Sequence, residues 1–196
     1  MSYLRKGLFD TIPLESKNGY TYTLTSRISD MLFKAESLFG ARDRSWTILG
    51  VEIYINGVAP QIWYPKGLER RHIIFQLVSP AHINEVVANY QLAHEVIHSL
   101  SPVIGVASNV LEEGIASWFA MDYVRKEFDV IIKESLESYR TAREKVERLL
   151  AVDDNAIKKL RLVEPCFKRM RIDTFEKAGL AVDKVLIGEL LSSFER

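Results

Sequence analysis

The sequence lacks the features that define disulfide-rich, membrane-spanning and exported proteins. It contains one cysteine, Cys166, among 196 residues, which excludes an internal disulfide framework and a metal site built from several thiolates. No stretch approaches the roughly 18 consecutive apolar residues of a membrane span. No apolar signal region follows the first six residues. We therefore expect a cytoplasmic protein that does not use a membrane as a partner.

An excess of charge of either sign is also absent. Lysine and arginine contribute 26 residues, and aspartate and glutamate another 26, so the formal net charge is zero. This balance provides no basic surface for phosphate backbones, and we expect no nucleic-acid partner. The hydrophobic share of 47% excludes intrinsic disorder, and the length favours one domain or one domain with two lobes.

Periodicity predicts a helix and a small sheet in the first part of the chain. Apolar residues at helical spacing predict a supporting helix over residues 26–39. Alternating residues predict strands at about 49–55 and 58–64, and the Asn56-Gly57 pair between them is typical of a tight hairpin. A third strand is expected over residues 72–78. The short turns between consecutive strands indicate an antiparallel meander.

The rest of the chain is predicted to be helical. Residues 83–100 are apolar on nearly every face, which predicts a buried helix, and a further helix is expected over 110–127. Helical patterns continue beyond residue 128. The predicted fold class is therefore α+β. Residues 1–127 form a core with a helix, a small antiparallel sheet and two more helices, and residues 128–196 form a helical subdomain packed with it.

One short motif carries chemistry: His94-Glu95-Val96-Ile97-His98, inside the predicted buried helix. Positions i and i+4 of a helix lie one turn apart on the same face, so both imidazoles can reach one metal ion. Glu95 is turned away from direct ligation but lies within reach of a water molecule beside that ion. The H-E-x-x-H spacing therefore predicts two zinc ligands and a general base. The alternative is a pair of hydrogen-bonded core histidines, with Glu95 in the same network.

Catalytic zinc sites have three protein ligands and one open position, so a third ligand is expected. Two carboxylates stand at the start of the next helix. Glu112 lies three residues after Asn109, where a capping-box side chain reaches back to the N-cap N–H. Glu113 points to another face and is the candidate ligand, the alternative being a solvated glutamate stabilised by the helix dipole. Gly114 is expected to let this helix approach the histidine helix closely.

H-E-x-x-H followed by a second helix that begins E-G-x-A resembles the gluzincin metallopeptidases, the zincin clan with a glutamate as third ligand. The compact size is similar to the minigluzincins, and the resemblance covers about residues 26–127. It implies a zincin-like fold and one Zn²⁺ per chain. It also implies that His94, His98 and Glu113 are the zinc ligands and that Glu95 is the general base.

The resemblance further implies a peptidase. The positions at which this sequence differs from the gluzincin pattern indicate which class of peptidase to expect. The glycine-rich G-x-M-E-N stretch of the clan's aminopeptidases is absent before the histidine helix, which favours an endopeptidase. The expected function is that of an intracellular zinc endopeptidase with a narrow substrate range. Fourteen residues separate His98 from Glu113, fewer than in those enzymes. The alternative is a non-catalytic metal-binding sensor or interaction protein on a peptidase scaffold. A structural zinc site is disfavoured, because such sites are closed by four protein ligands.

Two further roles are expected at this site. The strand over residues 72–78 is expected to be a sheet edge that binds an extended peptide substrate through its backbone, as the resemblance implies. Three residues of this strand are the expected substrate contacts: Ile74, Phe75 and Gln76. A tyrosine is expected to stabilise the oxyanion, and the candidates are Tyr123 and Tyr139.

Overall fold

The computed structural model describes residues 24–54, 56–65, 71–81, 84–134 and 136–196. In chain order its elements are α1 (Leu24–Phe39), β1 (Thr47–Ile53), β2 (Gln61–Trp63), β3 (His72–Leu77), α2 (Glu85–His98), α3 (Val110–Phe128), α4 (Glu137–Val152), α5 (Ala156–Val163), a 3-10 turn (Phe167–Arg169), α6 (Ile172–Lys177) and α7 (Lys184–Leu191). The predicted α+β class is confirmed. Within the described ranges, no helix has both the length and the apolar character needed to cross a lipid bilayer.

The sheet has the strand order β1-β3-β2, which differs from the predicted antiparallel meander. Strand β1 is parallel to β3, whereas β2 is antiparallel to it. The Asn56-Gly57 pair makes a turn, with the Gly57 N–H bonded to the Tyr54 carbonyl, but it does not join two paired strands. The preceding residue, Ile55, lies outside the described residues. The chain therefore crosses the sheet after β1, and β3 fills the place between the first two strands.

Burial explains why β3 occupies the centre. Every second residue of this strand, Ile73, Phe75 and Leu77, is fully buried, whereas β2 has no buried residue. A central strand has both its backbone edges paired, so the most apolar strand is stabilised most by that position. The expectation that residues 72–78 form a sheet edge is therefore wrong.

The central position of β3 also removes the expected way of binding substrate. The backbone of Ile74, Phe75 and Gln76 faces β1 on one side and β2 on the other. The side chain of Gln76 is engaged as well, by Gln61 and Glu52. The backbone of Ile74, Phe75 and Gln76 is therefore not available to pair with a peptide. Strands β1 and β2 each pair only with β3, so among the described strands the outer sides of both are free edges.

Helix α2 runs through the centre of the protein, as its apolar pattern predicts. Leu92, Ala93, Val96 and Ile97 are completely inaccessible to solvent. Complete burial of a leucine, valine or isoleucine side chain contributes about 1.5–3 kcal/mol to the free energy of folding. The helix begins at Asn84, whose side chain accepts the Val87 N–H. The rigid core around α2 holds any group on its surface in a defined place.

Gly114 on α3 has a different role from the predicted one. A methyl group at this position would overlap the Ala142 carbonyl oxygen and a methyl carbon of Val146, both on α4. The missing side chain therefore permits close approach of α3 to α4, and not of α3 to the histidine helix. This contact brings the start of α4 to the end of α3 that carries the two glutamates.

The segment between α3 and α4 is not helical where it is described. Asp129 adopts a left-handed backbone conformation, with φ of 55°, and its N–H bonds to the Arg125 carbonyl, which ends α3. The described residues between it and α4, 130–134 and Leu136, contain no regular structure. This segment passes beside α2 and lines a cavity there.

Two features attach the C-terminal helices to the rest of the protein. The buried Arg161 guanidinium donates hydrogen bonds to the carbonyls of Phe39, Gly40 and Ala41 at the end of α1. After α7 the chain returns to the start of α3, where Val110 N–H bonds to Ser192 O and Phe194 N–H to Ser108 O, both at 3.0 Å. The last residues therefore lie beside the first turn of α3.

Candidate metal centre

Three ligand groups from α2 and α3 converge: His94, His98 and Glu113, with their ligand atoms within 4.8 Å of one another. The Nε2 atom of His94 lies 3.2 Å from Oε2 of Glu113. The Nε2 atom of His98 lies 3.7 Å from Oε1 of the same carboxylate. The carboxylate of Glu113 therefore faces both histidines at once.

Local helix geometry brings these groups together. The two imidazoles are four residues apart on α2, and their ring centroids are 5.1 Å apart. Helix α3 begins at Asn109, whose side chain accepts the Glu112 N–H at 2.9 Å, as the sequence predicts for an N-cap. That cap defines the first turn of α3, and this turn presents Glu113 to the histidines.

The three groups fit a divalent zinc ion. In a tetrahedral site with bond lengths of about 2.0–2.1 Å, neighbouring ligand atoms lie about 3.4 Å apart. The separations of 3.2 and 3.7 Å, each to a different oxygen of Glu113, lie near this value, whereas the full set of three ligand atoms extends over up to 4.8 Å. Two imidazoles and one carboxylate are also the donor set of catalytic zinc sites that keep an open coordination position. The side chains are 9–13% exposed, so an ion there would be largely shielded from solvent.

Glu112 does not close a capping box, contrary to the sequence-based interpretation. Its Oε1 atom lies 3.1 Å from Nδ1 of His98, and the side chain is 3% exposed. The other oxygen, Oε2, faces the ammonium of Lys168 at 3.8 Å. A carboxylate on the far nitrogen of an imidazole fixes the ring orientation and strengthens the ligand nitrogen. The Nε2 atom of His98 is thereby directed towards Glu113.

The charges of this cluster are strongly coupled. Burial opposes the charged form of His98, but the carboxylates of Glu113 and Glu112 outweigh it and raise the pKa of His98 to about 10. Burial likewise opposes ionisation of Glu113, but the charge of His98 and the hydrogen bond from His94 lower its pKa to about 2. Without a metal, the cluster is a set of buried ion pairs. Glu113 is ionised, as a ligand must be, whereas His98 must lose a proton before it can bind an ion.

Glu95 lies beside these ligands on α2 and is 3% exposed. Burial raises its pKa, and the positive charges of His98 and His94 oppose that rise only in part. Glu95 lines the same cavity as the three ligands. A raised pKa suits a carboxylate that accepts a proton and later releases it near neutral pH.

Two cavities meet at this cluster. The first, the metal cavity, has a volume of about 530 Å³ and is lined by the three ligands, Glu95 and the residues of β2. The second, the side cavity, has a volume of about 430 Å³ and lies between α2, the segment before α4 and the start of α4. Pro60, His94 and Arg196 border both cavities. The free edge of β2 therefore runs along the metal cavity and ends beside the side cavity.

The two candidate tyrosines are in different places. The Tyr123 hydroxyl donates to Asp30 at 2.9 Å and accepts from Arg27 at 3.3 Å, both on α1. Ten residues along a helix correspond to a rotation of about 80° from Glu113, which turns Tyr123 away from the histidines. Tyr123 is not part of this site. Tyr139 is part of it, because its ring lies edge-on to that of His94 with 5.6 Å between centroids.

Sequence reasoning missed one residue of the site, Arg196. Its Nε donates a hydrogen bond of 2.8 Å to the Tyr139 hydroxyl, and its guanidinium carbon lies 5.9 Å from the centre of that ring. Phe194 packs on the same ring, with 4.9 Å between centroids. No motif marks Arg196, because it reaches the site only through the return of the chain after α7.

The arrangement combines a three-ligand cluster, a buried carboxylate beside it and a cavity open to solvent. These are the parts that metal-assisted hydrolysis requires: a site for the ion, a proton acceptor and room for a substrate. Comparisons of the chain with protein-family models, with curated proteins and with solved structures find no match.

Proposed function

We propose that the protein is a zinc-dependent peptidase that hydrolyses peptide bonds, with one Zn²⁺ held by His94, His98 and Glu113. The observation that carries this proposal is the position of the Glu113 carboxylate, 3.2 and 3.7 Å from the two Nε2 atoms. Zinc, when bound, supplies an acidified water and polarises a carbonyl group. The resemblance of the two helices to those of gluzincins supports the same reaction.

Glu95 is the proposed general base. Its carboxylate is buried beside the ligands and has a raised pKa, so it accepts a proton from the attacking water and passes it to the leaving amine. Glu112 does not touch the substrate in this scheme. It holds the proton on Nδ1 of His98 and so keeps the ring in its binding orientation.

The free edge of β2 is the proposed substrate-binding strand, in place of β3. Gln61, Ile62 and Trp63 line the metal cavity, and their outer backbone groups face no strand among the described residues. An extended peptide that pairs with this edge lies alongside the three ligands. Backbone pairing of this kind supplies affinity without selecting a particular sequence.

Tyr139 and Arg196 are the proposed donors to the oxyanion. The Arg196 Nε–H occupies the acceptor side of the Tyr139 hydroxyl, which leaves the phenolic hydrogen free to point elsewhere. Burial and the charge of Glu113 raise the pKa of Tyr139, and Arg196 opposes that rise. A neutral phenol held beside His94 is suited to donate a hydrogen bond where negative charge develops.

The second candidate is a non-catalytic scaffold protein. One observation favours it: the ion pairs of His98 with Glu112 and Glu113 satisfy much of the buried charge without a metal. A cluster of this kind can stabilise a fold or respond to a metal ion without performing a reaction. The presence of Glu95 favours the peptidase, because ligation alone does not need that carboxylate.

The experiment compares the zinc-loaded wild type with Glu95→Gln on a peptide library, read by mass spectrometry. Glu85→Gln is the matched control, since it lies on the same helix about 15 Å away along the axis. We expect wild type and control to cleave the same peptides. We expect Glu95→Gln to retain zinc and to lose about 10²–10⁴-fold in rate. Identical cleavage by wild type and Glu95→Gln would contradict the proposal, and zinc binding without any cleavage would favour the scaffold.

A further inference from the structure

The buried carboxylate of Glu112 uses only one of its two oxygens for a hydrogen bond. Its Oε1 atom lies 3.1 Å from Nδ1 of His98, whereas Oε2 is buried and accepts no hydrogen bond from any of the described residues. The ammonium of Lys168 faces Oε2 at 3.8 Å. A carboxylate that is held through one oxygen alone can turn about its side-chain bonds. The contact with His98 therefore depends on what holds Oε2.

Lys168 is fixed in place by the elements around it. It lies in the 3-10 turn (Phe167–Arg169), whose first residue is buried in the core. The Asn109 side chain that caps α3 also donates a hydrogen bond of 2.9 Å to the carbonyl of Phe167. The Lys168 ammonium donates to the Val106 carbonyl at 3.3 Å, and its side chain is only 14% exposed. This ammonium therefore has a defined position, unlike that of a lysine that extends into solvent.

A cation at this place has two opposite effects on zinc binding. Its charge repels a divalent ion, since Lys168 lines the same cavity as the three ligands. Its attraction for Oε2 of Glu112 holds that carboxylate, and through it the His98 ring, in the orientation that ligation needs. Charge alone therefore predicts tighter zinc binding without the ammonium, whereas positioning predicts weaker binding.

We propose that Lys168 is a positioning residue of the metal centre, which acts through Glu112 on His98. The ammonium holds Oε2, so that Oε1 stays on Nδ1 of the ring and Nε2 stays directed towards Glu113. The negative charge of the intervening carboxylate offsets the repulsion between the ammonium and the ion, so positioning is the larger effect. This role rests on the proposed function, because it takes His98 and Glu113 as zinc ligands, but it is independent of the reaction at the ion.

The first test measures zinc affinity by competition with a chromophoric chelator. Lys168→Met removes the ammonium and keeps an apolar stem, and we expect it to weaken zinc binding by about three- to tenfold, less than loss of the carboxylate itself. Lys168→Arg keeps a cation and should restore most of the affinity. Arg169→Met, in the same turn, is the matched control and should change nothing, since Arg169 lines a different cavity. Unchanged or tighter zinc binding by Lys168→Met would overturn the proposal.

A double-mutant cycle assigns the effect to Glu112. In the Glu112→Gln background the carboxylate is gone, so Lys168→Met should no longer weaken zinc binding. An equal loss of affinity in both backgrounds would mean that the lysine acts through Val106 or through overall stability, and would overturn the proposal. If Lys168→Met does not fold, Lys168→Gln takes its place in the same cycle, with the same expected results.

A second measurement does not need the ion. The Nδ1–H proton of His98, held by Glu112, should exchange slowly with water and give a downfield NMR resonance in the metal-free protein, assigned by its loss in His98→Ala. We expect this resonance in wild type and in Arg169→Met, and expect exchange to broaden it in Lys168→Met. An unchanged resonance in Lys168→Met would overturn the proposal.

Cleavage separates the role of Lys168 from the proposed function. Wild type that binds zinc but cleaves no peptide, together with weaker zinc binding by Lys168→Met, would overturn the peptidase and support the positioning role. Peptide cleavage by wild type, together with unchanged zinc binding by Lys168→Met, would support the peptidase and overturn the positioning role.

Discussion

The Oε1 atom of Glu112 lies 3.1 Å from Nδ1 of His98, on the opposite side of the ring from Nε2. Because of this contact, the two consecutive glutamates have different structural roles. Glu113 faces the ligand nitrogens, whereas Glu112 holds the ring that carries one of them. Both glutamates are buried, and both depend on the same cap at Asn109.

The three-ligand cluster predicts one zinc ion per chain in the wild type. His94→Ala should reduce bound zinc to near zero, because two ligands do not hold the ion against a chelator. Elemental analysis after dialysis measures the ratio, with His72→Ala on β3 as the control. Equal zinc in wild type and His94→Ala would contradict this assignment.

Replacing the two glutamates should affect zinc affinity to different degrees. Glu113→Ala removes a ligand and should abolish stoichiometric binding. Glu112→Gln should weaken binding by about 10–100-fold, since it removes only the carboxylate that orients His98. Competition with a chromophoric chelator measures both. If Glu112→Ala loses the metal and Glu113→Ala keeps it, the roles of the two residues are reversed.

Zinc affinity should rise with pH. The pKa of His98 in the metal-free protein is raised to about 10, so below that pH the ring carries a proton that zinc must displace. One displaced proton corresponds to an increase in affinity of about tenfold per pH unit. Chelator competition at several values between about pH 6.5 and 8.5 measures the slope. A slope near zero would mean that His98 is neutral before the metal binds.

Gly114→Ala should destabilise the protein by about 1–3 kcal/mol, because the added methyl group overlaps the Ala142 carbonyl on α4. Gly188→Ala, on α7, is the matched control. Apart from its chain neighbours and the backbone of α7 itself, nothing lies within 4 Å of a methyl group at that position, so alanine should stabilise the helix by up to about 1 kcal/mol. Urea unfolding measures both changes. Equal effects would show that α3 and α4 do not meet at Gly114.

Gln76→Pro should destabilise the whole fold. A selective loss of peptide binding in an otherwise stable protein is not expected. Strand β3 is paired on both sides, so loss of one N–H and the fixed proline ring disrupt the sheet. Gln76→Thr keeps the backbone donor and serves as the control. Thermal unfolding followed by circular dichroism should show a lower transition temperature for Gln76→Pro only. An unchanged transition would contradict the central position of β3.

Local features of the sequence predicted the parts of the site that depend on a single helix. The spacing of His94 and His98 fixes both imidazoles on one face, since a helix has 3.6 residues per turn. The cap at Asn109 and the buried character of α2 follow from local preference and periodicity in the same way. The glutamate that faces the histidines, Glu113, was predicted with the help of a family resemblance.

Strand order could not be predicted from local pattern. The Asn56-Gly57 pair is typical of a hairpin, but the chain gains more by burying Ile73, Phe75 and Leu77 in the centre of the sheet. Which strand is central depends on the burial available to all three at once, and this is a property of the assembled core.

The sequence by itself determined the two histidines, the neighbouring Glu95, the N-cap of α3 and the α+β class, because each follows from contacts within a few residues along the chain. Only the tertiary structure decided that Glu112 binds His98, that Tyr139 and not Tyr123 reaches the site, and that Arg196 joins it. These contacts join residues far apart in the chain or depend on the direction in which a side chain leaves its helix. Their geometry is set by the packing of α3, α4 and the returning C-terminal segment, which no local pattern records.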